Sequence, residues 1–101
     1  ILKKYNKGKK YIFSSIKPDH KSFEEKRYWR GPIWINCNWI IYQGLKNKDK
    51  IFSSYVKKKT IGLVNQKGFH EYYSCKSGNA MGAYNFSWSA ALYLDLVLNK
   101  N

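Results

Sequence analysis

The sequence predicts an all-α chain, and three observations carry that reading. Two stretches, Pro32 to about Lys46 and Trp88 to about Leu98, are apolar around the whole helical wheel. Between them Lys50 to Gln66 is amphipathic, with Ile51, Phe52, Tyr55, Val56 and Leu63 on one side and Lys57-Lys58-Lys59 largely opposite. Start and stop residues stand where such helices need them. A helix that is apolar on every side needs neighbours on every side. The alternation of inner, outer and inner helix is therefore that of a two-layered ring of helix pairs, of which a chain of 101 residues reads as an incomplete part.

Residues 1–12, short and strongly basic, read as the frayed end of a helix. Phe13 to Arg27 reads as irregular chain punctuated by Ser14-Ser15, Pro18-Asp19 and Glu24-Glu25, and a loop of that length suits a lining or functional role. Gly31-Pro32 opens the first helix, because proline at the first helical position loses no bonded N–H and has its φ preset. Inside this helix Asn36, Asn38 and Gln43 are amides that burial obliges to find partners, either in neighbouring backbone or across a polar cavity. Asp49 is the expected N-cap of the second helix and Gly68 its C-cap. A Gly-bearing loop then runs from Gly68-Phe69-His70-Glu71-Tyr72-Tyr73 through Ser77-Gly78-Asn79-Ala80-Met81-Gly82, and Ser87 caps the third helix.

The net charge of +13 suggests nucleic acid at first sight, but its distribution argues otherwise. Residues 1–30 carry ten Lys/Arg against three acids, whereas residues 71–101 are neutral. Lysines and aromatics occupy different segments, while a stacking platform for single strands needs them interleaved. The lysines read as a solvated face, and no nucleic-acid partner is expected. The apolar runs around 33–41 and 90–98 fall far short of the roughly 20 residues a membrane span needs, so no membrane role is expected either. Cys37 and Cys75 form no CxxC pair and have no histidine at metal-ligand spacing. Reduced cysteines and a cytoplasmic location follow as the default, with no metal and no cofactor.

Glu71 stands apart from the other acids. It lies among Phe69, Tyr72 and Tyr73, away from the lysine runs, a setting suited either to acid–base work or to a local cap or pair. Glycoside hydrolysis needs two carboxyls, one to protonate the leaving oxygen and one to activate water or attack. As a base, Glu71 should accept hydrogen bonds from Tyr72, Tyr73 or a backbone N–H. Trp29, Trp34 and Trp88 offer flat faces to sugar C–H groups, or else pack in a core, and Arg30, Asn36 and Asn38 are suited to hydroxyls.

Three blocks in order, Tyr28-Trp29-Arg30-Gly31-Pro32-Ile33-Trp34-Ile35-Asn36, Gly68-Phe69-His70-Glu71-Tyr72-Tyr73 and Phe86-Ser87-Trp88-Ser89-Ala90-Ala91, resemble the C-terminal end of (α/α)6-barrel glycoside hydrolases. The resemblance is nearest to family 63, which includes processing α-glucosidases and mannosylglycerate hydrolases, and it covers about residues 13–98. It implies that residues 1–101 are the C-terminal helices of an (α/α)6 toroid, a fragment of a six-hairpin catalytic domain whose N-terminal part is the missing partner. It also implies an inverting attack on α-glycosidic bonds of glucosides or mannosylglycerate-like substrates. The family's base, a glutamate just before tyrosines, matches Glu71. The sugar wall would be drawn from Trp29, Arg30, Gly31, Trp34, Asn36, Tyr72, Tyr73 and Trp88. The family's acid, an aspartate several helices upstream, has no counterpart, since Asp19 precedes the Trp-Arg-Gly-Pro block only narrowly, and His70 stands where an aromatic is common. Without that acid the isolated chain is expected to be inactive. The competing reading is a non-catalytic remnant that keeps a carbohydrate-binding wall.

Overall fold

The structure is a computed structural model that describes residues 11–98. The reading of residues 1–12 as a helix end falls outside the described residues up to position 10; Tyr11 and Ile12 lie in irregular chain. The element order is α1 (Ile35–Leu45), α2 (Lys50–Lys67), β1 (His70–Tyr73), β2 (Ala80–Tyr84) and α3 (Ser87–Leu98). The all-α expectation is thereby corrected: three helices accompany an antiparallel hairpin, and the fold is mixed.

The hairpin occupies the stretch expected to be loop. Its turn is built by Ser74, whose hydroxyl accepts the N–H groups of Lys76 and Ser77, both at 3.2 Å, and whose carbonyl accepts the Gly78 N–H at 2.8 Å. Gly78 stands at φ +76°, a conformation side chains disfavour. A third piece of chain completes the sheet edge. Ile33 and Tyr73 form an antiparallel bridge, which takes Ile33 and Trp34 out of the helix expected to begin at Pro32. Trp34, at φ −112° and ψ 131°, is the extended residue before α1 and caps it with no side-chain bond.

The expected caps of α2 hold. The Asp49 carboxylate accepts the Phe52 N–H at 3.0 Å, and Gly68, at φ +86°, ends the helix with its N–H on the Val64 carbonyl. Phe52, Val56, Leu63 and Val64 turn inward to meet Ile33, Ile35, Tyr42 and Tyr73 in the core. Two of the three α1 amides expected to need partners, Asn38 and Gln43, find them in backbone and in a side chain of α3. Asn38, fully buried, accepts the Phe13 N–H and donates to the carbonyls of Phe13 and Trp34. Gln43 and the Trp39 indole both donate to Asp95 of α3, at 3.5 and 2.7 Å.

Within the described residues neither of the two all-round apolar helices is covered on every side. Ile40 of α1 is 60% exposed, and Leu94, Val97 and Leu98 of α3 are 52%, 45% and 74% exposed. None of the described helices is long and apolar enough to cross a membrane.

Candidate active site

Backbone hydrogen bonds knit the three sequence blocks together. Ile33 joins the first block to β1 through its bridge with Tyr73. The Phe86 N–H donates to the Phe69 carbonyl at 2.9 Å, and the Ser89 hydroxyl donates to the His70 carbonyl at 2.7 Å, which fixes the start of α3 against β1. The first block is thereby fixed at the Tyr73 end of β1 and the start of α3 at its His70 end.

Three aromatic rings gather around a fourth, that of Trp34. Trp29 lies parallel to Trp34, with ring centroids 3.9 Å apart and planes at 11°. Tyr72 tilts against Trp34 at 5.1 Å. Tyr28 stands edge-on to all three, at 5.5 Å from Trp29, 4.8 Å from Trp34 and 5.8 Å from Tyr72. Trp34 is buried and its indole N–H donates to the Tyr28 carbonyl at 2.8 Å, so it forms the floor. Tyr28 and Trp29 are nearly half exposed and present the accessible surface. Tyr28 reaches this position at φ +39°, a backbone strain that clusters at functional sites and that its three ring contacts and the Trp34 bond offset.

The loop before the platform is fastened internally. The Arg30 Nε donates to the Ser22 carbonyl at 3.0 Å, and its guanidinium lies 3.8 Å from Glu24, which also pairs with Arg27 at 3.2 Å. Gly31 is buried with its N–H on the Ser15 hydroxyl, and a Cβ there would run into the Glu24 carbonyl. Asn36, in the first turn of α1, is half-buried and makes no side-chain hydrogen bond among the described residues.

Glu71 lies beside the platform, opposite an irregularity in the sheet. Between the pairs His70–Tyr84 and Tyr72–Met81, β1 contributes Glu71 alone while β2 contributes Gly82 and Ala83. The Ala83 N–H donates to Glu71 Oε1 at 3.2 Å. A Cβ at Gly82 would lie 2.8 Å from both Glu71 Oε1 and Tyr72 Cε1, so the carboxylate and the Tyr72 ring converge over this glycine. Among the described residues Oε2 has no hydrogen-bond partner. The arrangement offers one tethered and one open carboxylate oxygen next to flat aromatic surface.

The structure thus brings together Glu71, Tyr72, Trp29 and Trp34, with Arg30 and Gly31 shaping the loop behind them. Tyr73 lies in the core instead. Its hydroxyl donates to the Gly68 carbonyl at 2.6 Å and accepts the His70 N–H at 3.0 Å. Burial pushes the Tyr73 phenol above its ordinary value, and the His70 bond works against that rise. Trp88, 47% exposed at the start of α3, faces Phe86 at 6.2 Å and makes no ring contact with the platform. His70 directs a buried Nδ1 that has no partner among the described residues.

Sequence reasoning did not single out Tyr28, Gly82 or Ala83. A glycine between Met81 and Ala83 is the one readable signal, since an isolated glycine in a strand marks a bulge. The left-handed Tyr28 has no such mark. Nor was the link from Glu25 to the buried Ser74 hydroxyl, 2.5 Å long, legible in a loop that read as irregular chain. Among the described residues no group of three or more His, Cys, Asp or Glu side chains is placed to hold a metal ion.

Comparison with known proteins agrees with the three-block pattern. The sequence profile of the mannosylglycerate hydrolase MGH1-like glycoside hydrolase domain matches residues 2–89. A mannosylglycerate hydrolase of Thermus thermophilus is 40% identical over 86 residues, which cover 84% of this chain and 21% of that protein. Mannosylglycerate hydrolase MGH1 of Selaginella moellendorffii is 38% identical over 85 residues, 83% of this chain and 17% of that protein. The chain therefore spans about a fifth of the length of these curated relatives. The crystal structure of a GH63 mannosylglycerate hydrolase from Thermus thermophilus in complex with glucose superposes with a TM-score of 0.83 at 34% identity, covering 92% of this chain and 24% of that one. The same enzyme in complex with Tris and D-glycerate gives a TM-score of 0.85 at 36% identity, covering 92% and 23%.

Proposed function

Since the chain belongs to the mannosylglycerate hydrolase MGH1-like glycoside hydrolase family, we propose that it is the base-bearing portion of an inverting glycoside hydrolase acting on mannosylglycerate or a related α-glycoside. Glu71 is the general base. Its open oxygen takes a proton from the water that attacks the anomeric carbon, while the tethered oxygen keeps the carboxylate aimed. Trp29 and Tyr28 give the sugar a flat apolar face, with Trp34 and Tyr72 supporting them, and Asn36 offers hydroxyl contacts. The observation that carries this reading is the convergence of Glu71 and Tyr72 over Gly82, which sets the carboxylate against the aromatic surface.

The acid that protonates the leaving oxygen comes from the remainder of the catalytic domain. Most of the other acids in this chain are engaged: Glu24 with Arg27 and Arg30, Glu25 with Ser74, Asp49 with the α2 cap, and Asp95 with Trp39 and Gln43. An inverting pair also needs a separation of roughly 6.5–9.5 Å, to leave room for water. The glycerate of D-glycerate-type substrates is read, in this proposal, by that same remainder.

The test is a graft. Residues 11–98 replace the matching segment of the Thermus thermophilus relative, and turnover of mannosylglycerate is compared with that of the 101-residue chain alone. The graft should turn over and the isolated chain should not. Glu71→Gln in the graft should lower kcat by roughly 10²–10⁴ with KM little changed. Near-parental kcat in that variant would remove Glu71 from the role of base, and a graft that folds and binds without turnover would favour a non-catalytic wall.

A further inference from the structure

The proposed base needs something to aim it, and the structure assigns that task to the β-bulge at Gly82 and Ala83: we propose that these two residues are positioning residues for Glu71. The inference rests on the reading of Glu71 as base, and it names the backbone irregularity that supplies the tether.

Tyr73 gives its N–H and carbonyl to Ile33, so pairs alternating along β1 make the place opposite Glu71 a non-hydrogen-bonded one, where a regularly paired β2 residue would turn its N–H away from β1. Here two residues, Gly82 and Ala83, stand against one. The extra residue bends the strand and re-aims its groups, as bulges beside active sites commonly do. Its consequence is the Ala83 N–H bond to Oε1 at 3.2 Å, a charge-assisted contact that fixes the end of a side chain with several free torsions.

Gly82 contributes by lacking a side chain. It stands at φ +74°, and a Cβ would lie 2.7 Å from the Glu71 Cβ and 2.8 Å from Oε1 and the Tyr72 ring. Any larger residue must displace the carboxylate, the ring or the bulge. Gly78 supplies an internal comparison. It sits in the same hairpin at φ +76°, and its Cβ would meet the Tyr11 ring at 2.8 Å, with no contact to Glu71. Both glycines relieve the same backbone strain, and only one of them makes room for the base.

Two measurements test the assignment. In the graft, Gly82→Ala should lower kcat at least about tenfold with KM within about twofold, because a misaimed base is felt in the transition state. Gly78→Ala should leave kcat per folded molecule unchanged. In the 101-residue chain, hydrogen exchange of the Ala83 amide, followed by NMR, should quicken at least about tenfold on Glu71→Ala, the loss expected for a bond to a charged acceptor. The exchange comparison does not depend on turnover or on the folding of Gly82→Ala. If Glu71→Gln abolishes turnover while Gly82→Ala keeps kcat, the positioning role is overturned and the base stands. If Glu71→Gln keeps turnover, the base assignment fails and the exchange result alone decides whether the bulge holds the carboxylate. An Ala83 amide indifferent to Glu71→Ala overturns the proposal in either case.

Discussion

Ile33 and Tyr73 exchange both backbone hydrogen bonds, Ile33 N–H to the Tyr73 carbonyl at 2.7 Å and Tyr73 N–H to the Ile33 carbonyl at 3.0 Å. This pair brings Trp34, one residue along, against Tyr72, one residue back. The aromatic platform and the acid-bearing strand thus share one anchor, and both anchor side chains are fully buried.

Ile33→Ala should therefore be among the costlier truncations, at about 2–5 kcal/mol, from lost burial plus the cavity left behind. Urea unfolding followed by far-UV circular dichroism measures it. A loss under about 1 kcal/mol would mean that the bridge does not depend on the packing of Ile33.

Tyr73→Phe removes a hydroxyl that serves two backbone groups, and should cost about 1–3 kcal/mol near neutral pH. Its pH dependence carries a sign. Burial raises the phenol above its ordinary value of 10.0, so the unfolded chain loses that proton first. Above that value the native state holds more protons than the unfolded one, and stability falls as pH rises toward the folded value. The gap between wild type and Tyr73→Phe should narrow above about pH 10, measured by unfolding at a series of pH values.

Two glycines should respond in opposite directions. Gly31→Ala meets the Glu24 backbone and the Phe23 ring at 3.1 Å, and should destabilise by about 1–3 kcal/mol. Gly62, within α2, has open space where a Cβ would go, and Gly62→Ala should stabilise by up to about 1 kcal/mol through helix propensity. Thermal melts of the two variants side by side provide the check.

Trp29→Ala should separate binding from chemistry. The ring is 44% exposed and lies over Trp34, so the fold should lose little while sugar contact suffers. In the graft KM should rise roughly five- to tenfold with kcat nearly kept, the pattern of lost uniform binding. A fall in kcat at constant KM would place Trp29 nearer the reacting atoms.

What the sequence made legible follows from where each signal is stored. Asp49, Gly68 and the apolar face of α2 are local signals, and the helix they bound is present. Glu71 and the Trp-Arg-Gly-Pro block were readable as residue types at a spacing. The hairpin was not, because Ala-Met-Gly-Ala-Tyr has no β-branched residue and is mostly small residues that strands usually avoid. Its pairing depends on the Ser74 turn and on Ile33, which is remote in sequence. The same recruitment of Ile33 delays the start of α1 from Pro32 to Ile35. Tertiary hydrogen bonding overrode a sound local start signal there.

The amide of Asn38 ties a remote segment to α1. Its oxygen and nitrogen hold the N–H and carbonyl of Phe13 as a neighbouring strand's peptide group would, across 25 residues of chain. That imitation exists only once α1 has wound and turned Asn38 inward, also toward the Trp34 carbonyl. Two residues on from Phe13, the Ser15 N–H donates to the Pro32 carbonyl at 2.9 Å, so the same segment is held to the helix by Asn38 and to the chain before that helix by Ser15. An Asn38→Ala variant should therefore free the Phe13 amide while the Ser15 amide stays bonded, seen as hydrogen exchange that quickens at Phe13 and not at Ser15.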